Sequence, residues 1–217
     1  MLGYTLQYRI YLPEQANSES PVLYVTDGQW YISRGELPQL LDAETAAGTI
    51  EPVITVFVDS RNPDNLDQNR RNQEFFCNLD YVSFFTEELL PEIDSSYPTA
   101  ADREGRVILG LSFGGRNSAC FGLMAHDKFA GIAMQSPANS EMVDRLRNQY
   151  LEQDKLPLKV FLSVGTIDDN TRAGRVFMQA LALKEYDLTY REVEEAHNWD
   201  NWKPLLDDVL HTFFSID

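Results

Sequence analysis

Seven short runs of apolar and β-branched residues recur along this chain, with helical patterns between them. The runs lie at 5–12, 22–26, 53–58, 107–111, 131–135, 158–164 and 188–193. The first and last alternate apolar and polar residues, as edge strands do, whereas the middle runs are almost continuously apolar. Helical patterns occur at 79–97, 113–126, 171–186 and 201–214. We therefore predict an α/β fold with a mostly parallel central sheet and helices on both faces.

The length and net charge of the chain indicate a single domain and make some classes of binding partner unexpected. The 217 residues, 43% of them hydrophobic, predict a single domain over 1–217. The net charge of −16 would repel phosphate backbones, so no nucleic-acid partner is expected. No apolar run is long enough for a transmembrane helix, and no membrane partner is expected. The first residues lack a signal-peptide pattern, which predicts a cytoplasmic location, although a trimmed secretion leader would leave the same sequence.

The two cysteines, Cys77 and Cys120, show neither a CxxC pattern nor the spacing of metal ligands. Their number excludes a framework of several disulfides. We predict Cys120 as a small buried apolar residue within a helix. No metal site and no cofactor site are expected.

The stretch from Gly110 to Gly114 reads Gly-Leu-Ser-Phe-Gly and matches the pattern G-x-S-x-G. It lies between a run that predicts a strand and a run that predicts a helix. This context is typical of the nucleophile elbow of α/β-hydrolases, a tight turn that exposes a serine at the end of a strand. Side chains at the glycine positions would collide with the strand and helix. The pattern therefore predicts Ser112 as a nucleophile, with a glycine-rich turn without chemistry as the alternative.

A serine hydroxyl needs a base, and the chain offers three histidines. In proteins with this elbow the chain order is serine, acid, histidine. His126 ends the same predicted helix that follows Ser112, and His211 lies in the last helical pattern. His197 follows the last predicted strand, which makes it the predicted general base.

The acid of the triad should lie between the serine and the histidine, after a strand. The run at 158–164 leads into Gly165-Thr166-Ile167-Asp168-Asp169-Asn170. We predict Asp168 as the carboxylate that orients His197, with Asp169 as its rival. The aspartate that does not contact the histidine is expected to cap the next helix.

An oxyanion hole needs two backbone N–H groups. One should belong to Phe113, the residue after the nucleophile. The other should come from the loop at 26–30, which reads Thr-Asp-Gly-Gln-Trp. A plain turn at Asp27-Gly28 is the alternative interpretation of this loop.

Several longer segments occur together and in a fixed order: VLYVTDGQWY, SFFTEELLPEIDSSYPT, RVILGLSFGG, FAGIAMQSP and HNWDNW. Between about Tyr8 and Leu210 the chain resembles the esterase family that includes enterochelin, feruloyl and acetylxylan esterases, S-formylglutathione hydrolases and mycolyltransferases. The HNWDNW stretch is most similar to the enterochelin-esterase-like branch. The segment RNSA after the elbow differs from the run expected in S-formylglutathione hydrolases and argues against that activity.

The resemblance implies an α/β-hydrolase fold without a large cap domain. It supports the triad of Ser112, Asp168 and His197, and it suggests the backbone N–H of Gln29 as the second oxyanion donor. It also implies that two tryptophans, Trp199 and Trp202, pack around the histidine loop, either as core residues or as substrate contacts.

A long polar segment at 60–76 follows one of the predicted strands and should lie at the rim of the site. Its arginines either bind an anionic substrate or, as we prefer, fix the segment by pairing with Asp64, Asp67 or Glu74. The residues that we expect as a possible substrate wall are Trp30, Trp199 and Arg61.

These features together predict a serine carboxylic-ester hydrolase that acts on a small-molecule ester through an acyl-enzyme. An acyltransferase or thioesterase on the same fold is the first alternative, since nucleophiles other than water can intercept an acyl-enzyme. A non-catalytic binding protein with a hydrolase-like fold is the second. The sequence leaves the ester and the oligomeric state open.

Overall fold

The computed structural model describes residues 2–216, apart from the side chain of Ser140. A seven-stranded sheet runs through the molecule in the order β1-β3-β2-β6-β7-β8-β9. Its strands are β1 (Gln7–Tyr11), β2 (Val22–Thr26), β3 (Ile54–Asp59), β6 (Arg106–Leu111), β7 (Gly131–Gln135), β8 (Lys159–Gly165) and β9 (Asp187–Val193). Only β1 pairs antiparallel, with β3, and the other pairs are parallel. The predicted mostly parallel sheet is confirmed.

A separate two-stranded hairpin, β4 (Arg61–Asn62) and β5 (Asn65–Asn69), stands beside this sheet. The helices are α1 (Gly28–Ser33), α2 (Leu37–Ala47), α3 (Arg71–Glu74), α4 (Leu79–Phe84), α5 (Leu90–Ser96), α6 (Phe113–Met124), α7 (Ser140–Glu152), α8 (Thr171–Leu183), α9 (Trp199–Trp202) and α10 (Leu206–Phe214). A π-helical turn at Phe85–Leu89 joins α4 to α5. None of these helices is long and apolar enough to cross a membrane.

Alternating side chains of the central strands form two hydrophobic cores, one on each face of the sheet. In β2, Tyr24 belongs to one core and Leu23 to the other. The first core contains residues of α4 to α8, and the second contains residues of α1, α2 and α10. Burial on both faces explains why the middle strands are continuously apolar in sequence. Helices therefore cover both faces, as predicted.

All seven predicted strands are present, and the two alternating ones, β1 and β9, are the edges of the sheet. The helical patterns at 79–97, 113–126 and 171–186 are also confirmed, with ends that differ by a few residues. The pattern at 201–214 is divided: α9 ends at Trp202 and α10 begins at Leu206, with Pro204 between them. Proline lacks a backbone N–H and so interrupts the helix instead of lying in its first turn.

The two cysteines form a bond that was not predicted from the sequence. Cys77 and Cys120 form a disulfide, with Cα atoms 5.1 Å apart. Cys120 is buried, as predicted, but it is not a free thiol. The bond joins the segment that follows α3 to the middle of α6. The two cysteines are 43 residues apart, and the spacing of one pair of cysteines does not show whether they form a disulfide.

Candidate active site

The carboxyl ends of the central strands carry the candidate nucleophile. Ser112 lies between β6 and α6, with φ 54° and ψ −120°. A positive φ in a non-glycine residue is unfavourable and is held only where the surroundings determine it. Here the Ser112 N–H donates to the carbonyl of Gln135 on β7, and its own carbonyl accepts from Ala138. The predicted elbow is therefore present in geometry as well as in sequence.

The glycines around this serine are required by close contacts. A Cβ atom on Gly110 would lie 2.2 Å from the carbonyl carbon of Gly114, a distance that side chains do not tolerate. A Cβ on Gly114 or Gly115 would lie 3.0–3.1 Å from Thr26 Oγ1 or the Gln135 carbonyl oxygen. The start of α6 thus lies almost against β6, which is what allows the turn to be so tight.

His197 lies in the loop between β9 and α9 and contacts the serine directly. Its Nε2 atom is 3.0 Å from Ser112 Oγ, and its Nδ1 atom is 2.6 Å from Asp169 Oδ1. The side chain of His197 is partly exposed, whereas that of Asp169 has no exposed surface. Since a serine is activated by a base that a third group orients, these three side chains have the arrangement of a catalytic triad.

The structure contradicts the prediction of Asp168 as the acid of the triad, because the carboxylate that contacts His197 belongs to Asp169. Asp168 is exposed and has a φ of 48°, and this left-handed turn directs the next residue, Asp169, toward the histidine. Asp168 does not cap the following helix either, because the N-cap of α8 is Asn170. Both aspartates follow the same strand, and only the backbone conformation between them decides which one enters the site.

Asp169 is held by a network of donors. Its Oδ2 atom accepts from the backbone N–H of Gly165 at 2.6 Å and from Ser136 Oγ at 2.6 Å. Asn201 Nδ2 adds a third donor at 3.1 Å. Burial alone would raise the pKa of Asp169, but hydrogen bonds from His197, Ser136 and the backbone outweigh it and lower the pKa to about 2. The carboxylate is therefore ionised at neutral pH.

Two polar residues near Asp169 and Trp202, namely Ser136 and Gln135, were not identified from the sequence. Ser136 follows β7 at the same edge of the sheet, and its Oγ also accepts from Trp202 Nε1 at 2.9 Å. The side chain of Gln135 donates to the carbonyl of Trp202 at 2.8 Å. Gln135 ends β7 and Ser136 directly follows it, and this position was the only available signal, because serine and glutamine at such places are common without a role. Trp202 is thus a buried structural partner that also packs edge-on against His197.

The two predicted oxyanion donors occupy the first turns of helices. Phe113 is the first residue of α6, and Gln29 is the second residue of α1. The N–H groups of a first turn have no acceptor within the helix, so they are available to an anion, and the helix dipole adds to their effect. The Gln29 side chain lines a separate small pocket with Tyr8 and Asp59. Only its backbone is therefore relevant to the predicted role.

A cleft of about 250 Å³ opens beside the serine and the histidine. Trp30 and Trp199 line it, as predicted for the substrate wall, and so do Arg34 and Arg71. Arg61 does not line this cleft, which corrects its assignment to the wall. Its guanidinium instead forms two hydrogen bonds with Asp59, at 2.7 and 2.9 Å, and lies 5.7 Å from the Trp30 ring centre.

The arginines of the 60–76 segment do fix it in place, but not through the partners that we expected. Arg71 Nε lies 2.7 Å from the fully buried Asp27 Oδ2, and Asp27 also accepts from Ser60 Oγ at 2.7 Å. Burial raises the pKa of Asp27, although the Arg71 guanidinium opposes the shift. Arg70 donates to the carbonyl of Thr5 and lies over the Tyr4 ring. The segment is thus attached to the residues before β1, to Asp27 directly after β2 and to the end of β3.

The remaining histidines lie away from the site, as predicted. His126 follows the end of α6, and its carbonyl accepts from Arg103. His211 Nε2 lies 3.1 Å from Glu44 and 3.3 Å from Asp207. This group of three could hold a metal ion, but Asp207 is exposed and Glu44 and His211 are only partly buried. A cavity of about 430 Å³ lies at the amino ends of β6 and β8, whereas the triad lies at the carboxyl ends of the strands.

Solved structures of esterases share this fold. A ferulic acid esterase superposes with a TM-score of 0.81 at 22% identity, covering 98% of this chain and 93% of that chain. The ferric enterobactin esterase of Salmonella typhimurium superposes with a TM-score of 0.82 at 21% identity, covering 98% of this chain and 55% of that one. The predicted α/β-hydrolase fold is confirmed, and no large cap is evident in residues 2–216.

Sequence comparison points the same way. The chain is 31% identical over 124 residues to the iron(III) enterobactin esterase of Yersinia enterocolitica, an alignment that covers 57% of this chain and 34% of that protein. The chain spans about a quarter to about half of the length of the curated relatives it matches. Residues 1–213 match the model of the family described as "Putative esterase". The chain belongs to this esterase family.

Proposed function

We propose that this protein is a serine carboxylic-ester hydrolase in which Ser112 is the nucleophile, His197 the general base and Asp169 the orienting acid. The observation that carries the proposal is the continuous path from Ser112 Oγ through the two nitrogens of His197 to Asp169, with distances of 3.0 and 2.6 Å. Family membership and the similarity to enterobactin and ferulic acid esterases support the same reaction.

In the first step His197 Nε2 takes the proton from Ser112 as Oγ attacks the ester carbonyl carbon. The Nδ1–H group of the imidazolium donates to the ionised Asp169, which stabilises the positive charge and fixes the ring orientation. The oxyanion of the tetrahedral intermediate accepts hydrogen bonds from the backbone N–H groups of Phe113 and Gln29. Such preorganised donors each contribute roughly 10²–10³-fold to the rate.

In the second step His197 gives its proton to the leaving alcohol oxygen, and the acyl group stays on Ser112. Water then enters, loses a proton to His197 Nε2 and attacks the acyl carbonyl. As the bond between the acyl carbon and Ser112 Oγ breaks, His197 returns this proton to Oγ, which releases the acid and restores the serine and the neutral histidine. Every proton transfer uses the same imidazole nitrogen. The substrate is a small-molecule ester whose reacting carbonyl fits the cleft between Trp30 and Trp199.

The direct test is the hydrolysis of 4-nitrophenyl acetate and butyrate by the wild type and by Ser112→Ala. We expect kcat to fall by about 10⁴-fold or more, since removal of a triad nucleophile has effects of this size. Ser95→Ala, which changes an exposed serine on α5, is the matched control. Wild-type rates in Ser112→Ala would refute the assignment, and acyl transfer to added alcohols in place of hydrolysis would change the reaction class.

A further inference from the structure

The charge of the candidate cleft differs from that of the whole molecule. The chain carries 34 acidic and 18 basic residues, yet the side chains lining the cleft include two arginines, Arg34 and Arg71, and no carboxylate. At physiological ionic strength the field of distant charges is screened within roughly 8 Å, so a ligand in the cleft experiences mainly its immediate neighbours. The side chains that line the cleft therefore offer positive charge and no negative charge, on a protein that is acidic as a whole.

Of these two arginines, Arg71 already has a partner. Its Nε atom lies 2.7 Å from the buried carboxylate of Asp27, which compensates most of its charge. Arg34 differs, because it is exposed and forms no ion pair with any carboxylate in residues 2–216. The acid nearest to it in sequence, Glu36, is paired with Lys203 at 2.7 Å.

Arg34 is nevertheless held in place at the mouth of the cleft. Its backbone N–H donates to the carbonyl of Trp30 at 2.8 Å and ends α1. Its guanidinium lies 5.0 Å from the Trp30 ring centre. Stacking on an aromatic face orders the planar group while its edge N–H donors stay free. At the next residue, Gly35, an added Cβ would lie 2.9 Å from Trp199, so the turn packs tightly against the other tryptophan of the cleft.

From these contacts we propose that Arg34 selects esters that carry a negatively charged group, such as a carboxylate, close to the scissile bond. The proposal rests on the proposed esterase function and names the substrate class of the same site. The ester carbonyl would lie at Ser112, the body of the substrate between the tryptophans, and its anionic group against the free N–H donors of Arg34. Arg71 adds a second, partly compensated cation.

The anionic group can belong to the acyl part or to the alcohol part of the ester, and two substrate pairs separate these cases. The acyl pair is 4-nitrophenyl hydrogen succinate and its neutral methyl ester. The alcohol pair is 3-carboxyphenyl acetate and neutral 3-carbamoylphenyl acetate. For each pair the ratio of kcat/KM for the anionic over the neutral ester is measured in the wild type and in Arg34→Gln. Arg172→Gln, which removes the same charge from an exposed position on α8, is the control.

We expect Arg34→Gln to lower this ratio by about tenfold or more in at least one pair, mainly through KM, because a charge-assisted hydrogen bond contributes to binding on this scale. Arg172→Gln should change the ratio by less than about twofold, since it lies outside the cleft and acts only through screened charge. An unchanged ratio in Arg34→Gln, or an equal fall in both variants, would overturn the proposal while leaving the esterase function intact.

A binding measurement distinguishes failure of this proposal from failure of the esterase function. The probes are 3-hydroxybenzoate and 3-hydroxybenzamide, the alcohols released from the second pair, added to Ser112→Ala protein with and without Arg34→Gln. Tryptophan fluorescence should report tighter binding of the anionic probe, and this preference should disappear with Arg34→Gln. If wild-type protein hydrolyses none of the esters but the preference is found, the anion site stands and the proposed function fails. Absence of the preference, together with an unchanged kcat/KM ratio of the acyl pair in Arg34→Gln, overturns the anion site.

Discussion

The Nδ1 atom of His197 lies 2.6 Å from Oδ1 of Asp169, while the neighbouring Asp168 is exposed to solvent. The backbone between them determines this difference, because Asp168 takes a left-handed conformation with φ 48°. Two adjacent carboxylates at the end of β8 therefore have different surroundings. Asp169 is enclosed by hydrogen-bond donors and ionised, whereas the side chain of Asp168 is exposed and does not contact His197.

This difference predicts that the same substitution has a large effect on kcat at Asp169 and almost none at Asp168. Asp169→Asn should lower kcat for a nitrophenyl ester by about 10³–10⁴-fold, because an amide favours the wrong tautomer of the histidine. Asp168→Asn should leave kcat within about threefold of the wild type. Steady-state kinetics on both variants provides the test, and a larger loss in Asp168→Asn would reverse the assignment.

The network around Asp169 predicts a positioning role for Ser136. Ser136→Ala removes a donor to Asp169 and leaves the buried Trp202 Nε1–H without its acceptor. We expect kcat to fall about tenfold with little change in KM, and the free energy of unfolding to fall by about 1–3 kcal/mol. Esterase kinetics and urea unfolding measure the two effects. A loss of stability with an unchanged kcat would limit Ser136 to a structural role, and Ser95→Ala controls for the substitution.

The disulfide between Cys77 and Cys120 predicts a dependence on reductant. It closes a loop over 43 residues, and such bonds stabilise proteins by typically 2–4 kcal/mol. Urea unfolding with and without a thiol reductant should differ by about this amount, and the Cys77→Ser/Cys120→Ser double variant should not respond to reductant. Equal stability in both conditions would contradict the bond. Disulfides are rare in reducing compartments, so this bond weighs against the cytoplasmic location expected from the sequence.

A buried carboxylate within the 60–76 segment predicts that the free energy of unfolding depends on pH. Glu74 has no exposed surface and accepts from the Tyr4 hydroxyl at 3.0 Å. Burial raises its pKa to about 7, despite the opposing hydrogen bond from Tyr4. In the unfolded chain the carboxyl loses its proton near the ordinary value of about 4.3. Between these values the folded state binds more protons, so the free energy of unfolding falls as the pH rises.

Glu74→Gln isolates this contribution, since the amide does not titrate. Urea unfolding at pH 5 and pH 8 should show a smaller loss of stability in Glu74→Gln than in the wild type. Glu14→Gln, on an exposed loop, should lose as much as the wild type. Equal losses in all three proteins would exclude Glu74 as the titrating group.

The sequence predicted most of the architecture because it depends on periodicity. Burial on both faces makes the middle strands apolar throughout, and the edge position makes β1 and β9 alternate. The helix α7 was not predicted, although it is amphipathic and Asn139 caps its start by accepting from the backbone N–H of Met142. The single domain over 1–217 stays a prediction, and Met1 and Asp217 lie outside the described residues.

The site was predictable where the chemistry requires a fixed residue at a fixed place. The Gly-x-Ser-x-Gly turn needs its glycines for steric reasons, and His197 was the only histidine in the loop directly after the last strand, since His211 lies in the last helix. The choice between Asp168 and Asp169 depends on one backbone torsion, which composition and spacing do not encode. The partners of Arg61 and Arg71 were missed for different reasons: Asp27 is 44 residues away from Arg71 in the sequence, whereas Asp59 is only two residues before Arg61 but lies at the end of β3, outside the 60–76 segment.

The central claim is that Ser112 is an activated nucleophile, and covalent labelling tests it most directly. The wild type is treated with a fluorophosphonate and the labelled peptide is identified by mass spectrometry. We predict one adduct, on Ser112, formed quickly in the wild type and Asp168→Asn and much more slowly in His197→Ala and Asp169→Asn. An adduct on another residue, or no adduct on the folded wild-type protein, would contradict the account.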